Sequence, residues 1–101
     1  MMLSIEEIKR VVTPIFESHG VTKAILFGSY VKGEATEDSD IDLVVETEDY
    51  VRGFAFFGIA ADVEDVLSKE VDLICGRNIV PDSRIDREVR ATGRVIYEKV
   101  G

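Results

Sequence analysis

Cysteine is almost absent from this 101-residue sequence. The single one, Cys75, excludes an internal disulfide, and its place at the end of a Val-Asp-Leu-Ile run predicts a small buried hydrophobe rather than a reactive thiol. Long apolar runs are missing too. The longest, Phe54 to Ala61, falls far short of the roughly 20 residues a membrane-spanning helix needs, and Met1-Met2-Leu3-Ser4 carries no secretory leader pattern. A cytoplasmic protein with no membrane association is the expectation. Basic charge is scarce: 12 Lys and Arg stand against 20 Asp and Glu, a formal net charge of −8. That balance argues against direct nucleic-acid binding, which relies on many Lys and Arg contacts to phosphates. A small nucleotide remains compatible, because carboxylates hold divalent cations and the cations hold phosphates. No repeat, low-complexity tract or linker interrupts the chain, so residues 1–101 are expected to form one domain around one core.

What is present is a regular succession of elements. Ser4 followed by Glu7 has the form of a capping box, and Ile5, Ile8, Val12, Ile15 and Phe16 recur at helical spacing, predicting a helix from Ser4 to His19-Gly20. Pro14 removes a backbone donor from its middle, so a kink is expected there, or a restart with Thr13 as cap. His19 reads as a helix-end residue. Val21 to Phe27 is a β-branched and apolar run that stops at Gly28, and a short helix is expected from Ser29. Asp40 to Glu46 forms a second strand, a long helix runs roughly from Val51 to Ser68, and a third strand spans about Val71 to Cys75. Pro81-Asp82 opens a last helix that ends near Gly93, before a strand-like Arg94 to Glu98. On the long helix, Phe54, Phe57 and Ala61 share one face and are assigned to the core. Phe56 and Ile59 fall beside that face, and core is preferred for the whole group over a partner contact. Arg87, Arg90 and Arg94 align at helical spacing as a solvated stripe, with Asp86 and Arg90 as an i,i+4 pair.

The chemistry concentrates in the acidic segment from Glu34 to Asp49. Residues two apart in a strand project from the same face, about 6 to 7 Å apart, so Asp40 and Asp42 present both carboxylates together while Ile41 and Leu43 face the core. Two acids on one strand face repel each other, and a cation that neutralises them is the economical explanation. Asp72 repeats the pattern near the start of the third strand. Gly28-Ser29 supplies the complementary half, because glycine at a strand-to-helix turn lets phosphate approach the backbone and Ser29 adds a hydroxyl. If both halves serve one site, the first two strands must be antiparallel. The third must then run parallel to the second, with the long helix as crossover. The expected fold is thus α/β, a small three-stranded mixed sheet in order 1-2-3 flanked by helices, with helical cover on one face leaving the other for the site.

Phe27-Gly-Ser-Tyr-Val-Lys-Gly33, followed by Ser39-Asp-Ile-Asp-Leu43 and then Val71-Asp-Leu-Ile74, resembles the signature of the polymerase-β nucleotidyltransferase superfamily, and specifically its minimal nucleotidyltransferase branch. The resemblance covers nearly the whole chain. It implies a polymerase-β-like fold and Mg²⁺-dependent transfer of AMP from ATP. Asp40 and Asp42 then hold two Mg²⁺ ions, Asp72 is the third carboxylate, and Gly28, Ser29 and Lys32 meet the triphosphate. Lys32 stands where many members have Arg. Asp72 either orients the first metal or accepts the proton of the attacking hydroxyl. Larger relatives carry a further domain for the acceptor, and the resemblance to the minimal branch instead implies a HEPN-type toxin partner, adenylylated on tyrosine and silenced by this chain as antitoxin. Two alternatives stand beside that expectation: a catalytically silent antitoxin that neutralises its partner by contact alone, and nucleotide transfer to a small molecule such as an antibiotic.

Overall fold

The computed structural model describes residues 3–48 and 54–99. Helix α1 (Ile5–Ser18) opens with the anticipated capping box: the Glu7 N–H donates to Ser4 Oγ at 3.1 Å, and the Ser4 N–H to Glu7 Oε1 at 3.2 Å. Its stripe of Ile8, Val12 and Phe16 is fully buried, and each such side chain contributes about 1.5–3 kcal/mol relative to exposure. Pro14 neither ends nor restarts the helix, which continues to Ser18. Val12 and Phe16 seat the turns on both sides of Pro14 in the core, and the Thr13 hydroxyl, rather than capping a new helix, donates to the Lys9 carbonyl at 2.6 Å.

The elements that follow are β1 (Val21–Phe27), α2 (Ser29–Lys32), β2 (Ile41–Thr47), α3 (Phe54–Leu67), β3 (Val71–Cys75), a 3₁₀ turn at Gly76–Asn78, α4 (Arg84–Thr92) and β4 (Arg94–Glu98). The sheet order is β3-β2-β1-β4. As expected, β1 and β2 are antiparallel and β2 and β3 parallel, with α3 as the crossover. The count of three strands is corrected to four, because Arg94–Glu98 pairs antiparallel with the edge of β1 that three strands would leave open.

The core lies between α1, α3 and one sheet face, where Ala24, Leu26, Ile41, Leu43, Val45 and Ile96 meet Ile8, Phe16, Ile59 and Val63. The buried stripe of α3 differs from the expected one. Phe57 is 68% exposed and Ala61 is exposed, whereas Ile59, Val63 and Leu67 are buried and Phe56 packs against them. Almost every position from Phe54 to Ala61 is apolar, so that stretch sets no helical phase; Val63, set between Asp62 and Glu64, and Leu67 four residues further on do. The expected start at Val51 and the side chain of Phe54 lie outside the described residues.

Three smaller differences follow from local packing. Cys75 is half-buried rather than core. Helix α4 starts after Ser83, whose Oγ accepts the Asp86 N–H at 3.2 Å, so Pro81-Asp82 belongs to the preceding turn. Arg94 belongs to β4 and lies 3.9 Å from Glu6, which breaks the arginine stripe, although Arg90 and Asp86 do pair, at 3.2 Å. His19 caps α1 as expected, and its Nε2 lies 2.9 Å from Asp62 of α3. Among the described residues no helix is long and apolar enough to cross a membrane.

Candidate active site

Strand register aligns the site. Asp42 of β2 lies opposite Phe27 of β1 on one side and opposite Asp72 of β3 on the other, so the three form one row across neighbouring strands about 4.8 Å apart. Because Ile41, Leu43 and Val45 are buried in the core, the alternation of β2 turns Asp42 to the opposite face. That face is not left bare: α4 lies against β1 there, and Arg84, Ile85 and Glu88 join Phe27, Asp42 and Asp72 around a cleft of about 270 Å³. Gly93, just after α4, permits this approach. A Cβ there would sit 3.0 Å from Ile25 Cγ2 and 2.3 Å from the Val89 carbonyl oxygen.

The glycine turn meets the same row. Gly28 has φ 80°, ψ −148°, and a Cβ on it would fall 2.5 Å from Asp42 Oδ2. The Asp42 carboxylate thus occupies the space that any other residue at position 28 would fill. Ser29 begins α2 directly after the turn, half-buried, and Lys32 ends it. Lys32 Nζ lies 3.6 Å from Glu88 Oε1. The Gly28 N–H donates to Thr92 Oγ1 at 3.3 Å, and the same hydroxyl donates to the Glu88 carbonyl at 2.8 Å.

Negative charge dominates the cleft. Burial raises the Asp42 pKa above the usual carboxylate value, the nearby charges of Asp72, Glu88 and Asp40 raise it further, and Lys32 opposes them. Asp40, one residue before β2, is exposed and is not among the residues lining the cleft. Among the described residues, no three acidic, imidazole or thiol groups converge as a ready-made metal cage. The donor set is nonetheless of the right kind, since Asp42 and Asp72 are paired oxygen donors whose mutual repulsion a hard cation relieves. Sequence reasoning missed Arg84, Glu88 and Thr92. Their only signal was helical periodicity, which says nothing of the sheet face a helix will cover.

A glycine turn and two strand-borne carboxylates thus meet on one face of a mixed sheet. The chain belongs to the polymerase-β nucleotidyltransferase family, whose pattern it matches over residues 10–100. A Methanocaldococcus jannaschii protein, provisionally named a protein adenylyltransferase, is 40% identical over 79 residues, which cover 78% of this chain and 85% of its own length. The protein adenylyltransferase MntA of Thermococcus cleftensis is 39% identical over 77 residues, 72% of this chain and 78% of its own. Among solved structures, a toxin-antitoxin with AMP-PNP superposes with a TM-score of 0.76 at 23% identity, covering 96% of this chain and 75% of that one. The MNT antitoxin complex with the tri-AMPylated HEPN toxin of Shewanella oneidensis gives 0.72 at 20% identity, with 94% and 73% covered. At these identities the superpositions speak for the fold.

Proposed function

We propose that this chain transfers AMP from ATP to a hydroxyl of a protein partner, a tyrosine of a HEPN-type toxin, and thereby acts as its antitoxin. The observation that carries the reading is the row of Asp42 and Asp72 with the Gly28 turn closed onto Asp42, in a chain 39% identical to a protein adenylyltransferase. In this reading Asp40, Asp42 and Asp72 would hold two Mg²⁺ ions, while Gly28, Ser29 and Lys32 would receive the triphosphate. Bound Mg²⁺ supplies charge neutralisation for the phosphates and activation of the attacking hydroxyl. The chain's own residues do the rest. The Gly28 turn keeps Asp42 beside the phosphate-binding segment, Ser29 offers a hydroxyl donor, and Lys32 places a cation within reach of the phosphates. Asp72 is exposed and in register with Asp42, which supports a role for it in either orienting a cation or taking the acceptor's proton. The whole chain, 1–101, serves as a single nucleotidyltransferase domain in the cytoplasm, where ATP is available.

The test is intact-mass analysis of a coexpressed HEPN-type partner after incubation with the protein, ATP and Mg²⁺, with the Asp40→Asn/Asp42→Asn variant alongside. Mass gain in whole AMP units with the parent and none with the variant is the expected result. A partner that binds the parent and gains no mass would overturn catalysis in favour of neutralisation by contact.

A further inference from the structure

Lys32 is the basic group that the signature places at the phosphates, yet its ammonium already has an anionic partner on a different element. Glu88 Oε1 of α4 lies 3.6 Å from Lys32 Nζ, with the Glu88 side chain 28% exposed and that of Lys32 38% exposed. Neither position is accidental. Thr92, one helical turn beyond Glu88, takes the Gly28 N–H at 3.3 Å and gives its own hydroxyl proton to the Glu88 carbonyl at 2.8 Å. The C-terminal half of α4 is thereby joined to the turn from which α2 begins, which keeps the Glu88 and Lys32 side chains within reach of each other. Glu88 also lines the cleft with Asp42 and Asp72, and its charge acts on Asp42.

We propose that Glu88 is a positioning residue for the transfer site, an ion-pair latch that holds Lys32 when no nucleotide is bound and yields it when a triphosphate enters. The inference rests on the nucleotidyl-transfer reading. In the free chain the ammonium is shared between Glu88 and solvent. An entering triphosphate, carrying more charge than one carboxylate, competes for the same ammonium. Once Lys32 turns to the phosphates, the Glu88 carboxylate is left beside Asp42 and Asp72, where its negative charge favours cation occupancy. Nucleotide and cation binding are coupled through one side-chain exchange, and the coupling works in both directions.

A double-mutant cycle on Mg·ATP binding tests the latch, using calorimetric titration of the full chain, Glu88→Gln, Lys32→Met and the double variant, with no acceptor present. Any influence of Glu88 on the bound cation is common to both arms and cancels; what survives is the part transmitted through Lys32. A half-exposed ion pair limits the effect to about two- to fivefold. The effect of Glu88→Gln on Kd is expected to be more favourable by that factor when Lys32 is present than in the Lys32→Met background. A cycle that closes, with the same fold-change in both backgrounds, overturns the latch while leaving the nucleotidyl-transfer reading intact. Failure of the parent chain to bind Mg·ATP overturns both. A Glu88→Gln melting temperature matching the parent's separates positioning from a role in folding, and a large drop in it with a closed cycle assigns Glu88 to structure alone.

Discussion

Asp42 Oδ2 stands 2.5 Å from where a Cβ on Gly28 would be, so the β2 carboxylate fills the volume that a side chain at the glycine turn would need. The backbone of Gly28, at φ 80° and ψ −148°, is in a region essentially reserved for glycine. Gly28→Ala therefore meets two penalties, backbone strain and a carboxylate in its way. We expect a loss of about 1–3 kcal/mol from the backbone alone, read by urea denaturation, together with loss of transfer. An Asp42→Ala background removes the clash and not the strain, so Gly28→Ala is expected to cost less there than in the parent, but still to cost. A Gly28→Ala penalty that vanishes in the Asp42→Ala background would assign the whole penalty to the carboxylate.

Asp42 itself is expected to behave in opposite ways in stability and in activity. Its pKa is raised in the folded chain, by burial first and then by the charges of Asp72, Glu88 and Asp40. A group with a raised folded pKa contributes stability that is present below its unfolded pKa and is lost as pH rises through the folded value. At neutral pH the metal-free Asp42→Asn variant should consequently melt higher than the parent, and the gap should close on acidification. Equal melting temperatures at pH 7 would contradict this. Transfer, by contrast, should fall by about 10²- to 10³-fold, as when a preorganised electrostatic group is removed.

The same charges set the response to cations. Mg²⁺ is expected to raise the melting temperature of the parent at neutral pH and to lose that effect in Asp42→Asn. Because burial and neighbouring negative charge raise the Asp42 pKa, protons compete for it at a higher pH than for an ordinary aspartate, and the Mg²⁺ effect should weaken on acidification. A Mg²⁺ shift of the same size in both proteins would move the cation elsewhere.

Thr92 links the glycine turn to α4 through one hydroxyl. Thr92→Val keeps the shape and removes the acceptor of the Gly28 N–H, leaving a half-buried donor unpaired. The expected cost is about 1–3 kcal/mol, with a rise in KM for ATP greater than the fall in kcat. An unchanged KM would confine Thr92 to α4.

Helix α3 distinguishes its two faces by substitution. Ile59→Ala is expected to cost about 2–5 kcal/mol as a cavity in the core, whereas Phe57→Ser, at a position 68% exposed, should stay within about 0.5 kcal/mol of the parent. Chemical denaturation of both reads the difference directly, and a destabilised Phe57→Ser would restore the stripe expected from sequence.

Much of the fold was legible because local signals agree with their tertiary surroundings. The capping box at Ser4 and Glu7, the limits of β1 at Val21 and Phe27 and of β3 at Val71 and Cys75 are all found where periodicity and turn chemistry place them. Strand directions were legible for a different reason: Gly28 and the Asp40–Asp42 pair can share a site only if β1 and β2 run antiparallel, and Asp72 can join only if β3 runs parallel to β2. The phase of α3 was not legible, since a run as uniformly apolar as Phe54 to Ala61 fits the core in more than one rotation. Packing against α1 chose the rotation that buries Ile59.

The sequence by itself determined the order of elements, the alternation that separates Asp42 from Ile41 and Leu43, and the family signature, because each is written in neighbouring residues. Only the tertiary structure decided that β4 closes the edge of β1, that α4 covers part of the site face, and that Glu88 meets Lys32 and Thr92 meets Gly28. Those pairings join residues far apart along the chain. Which of the available partners a charge or an N–H meets there depends on how helices seat against the sheet, and no local pattern carries that information.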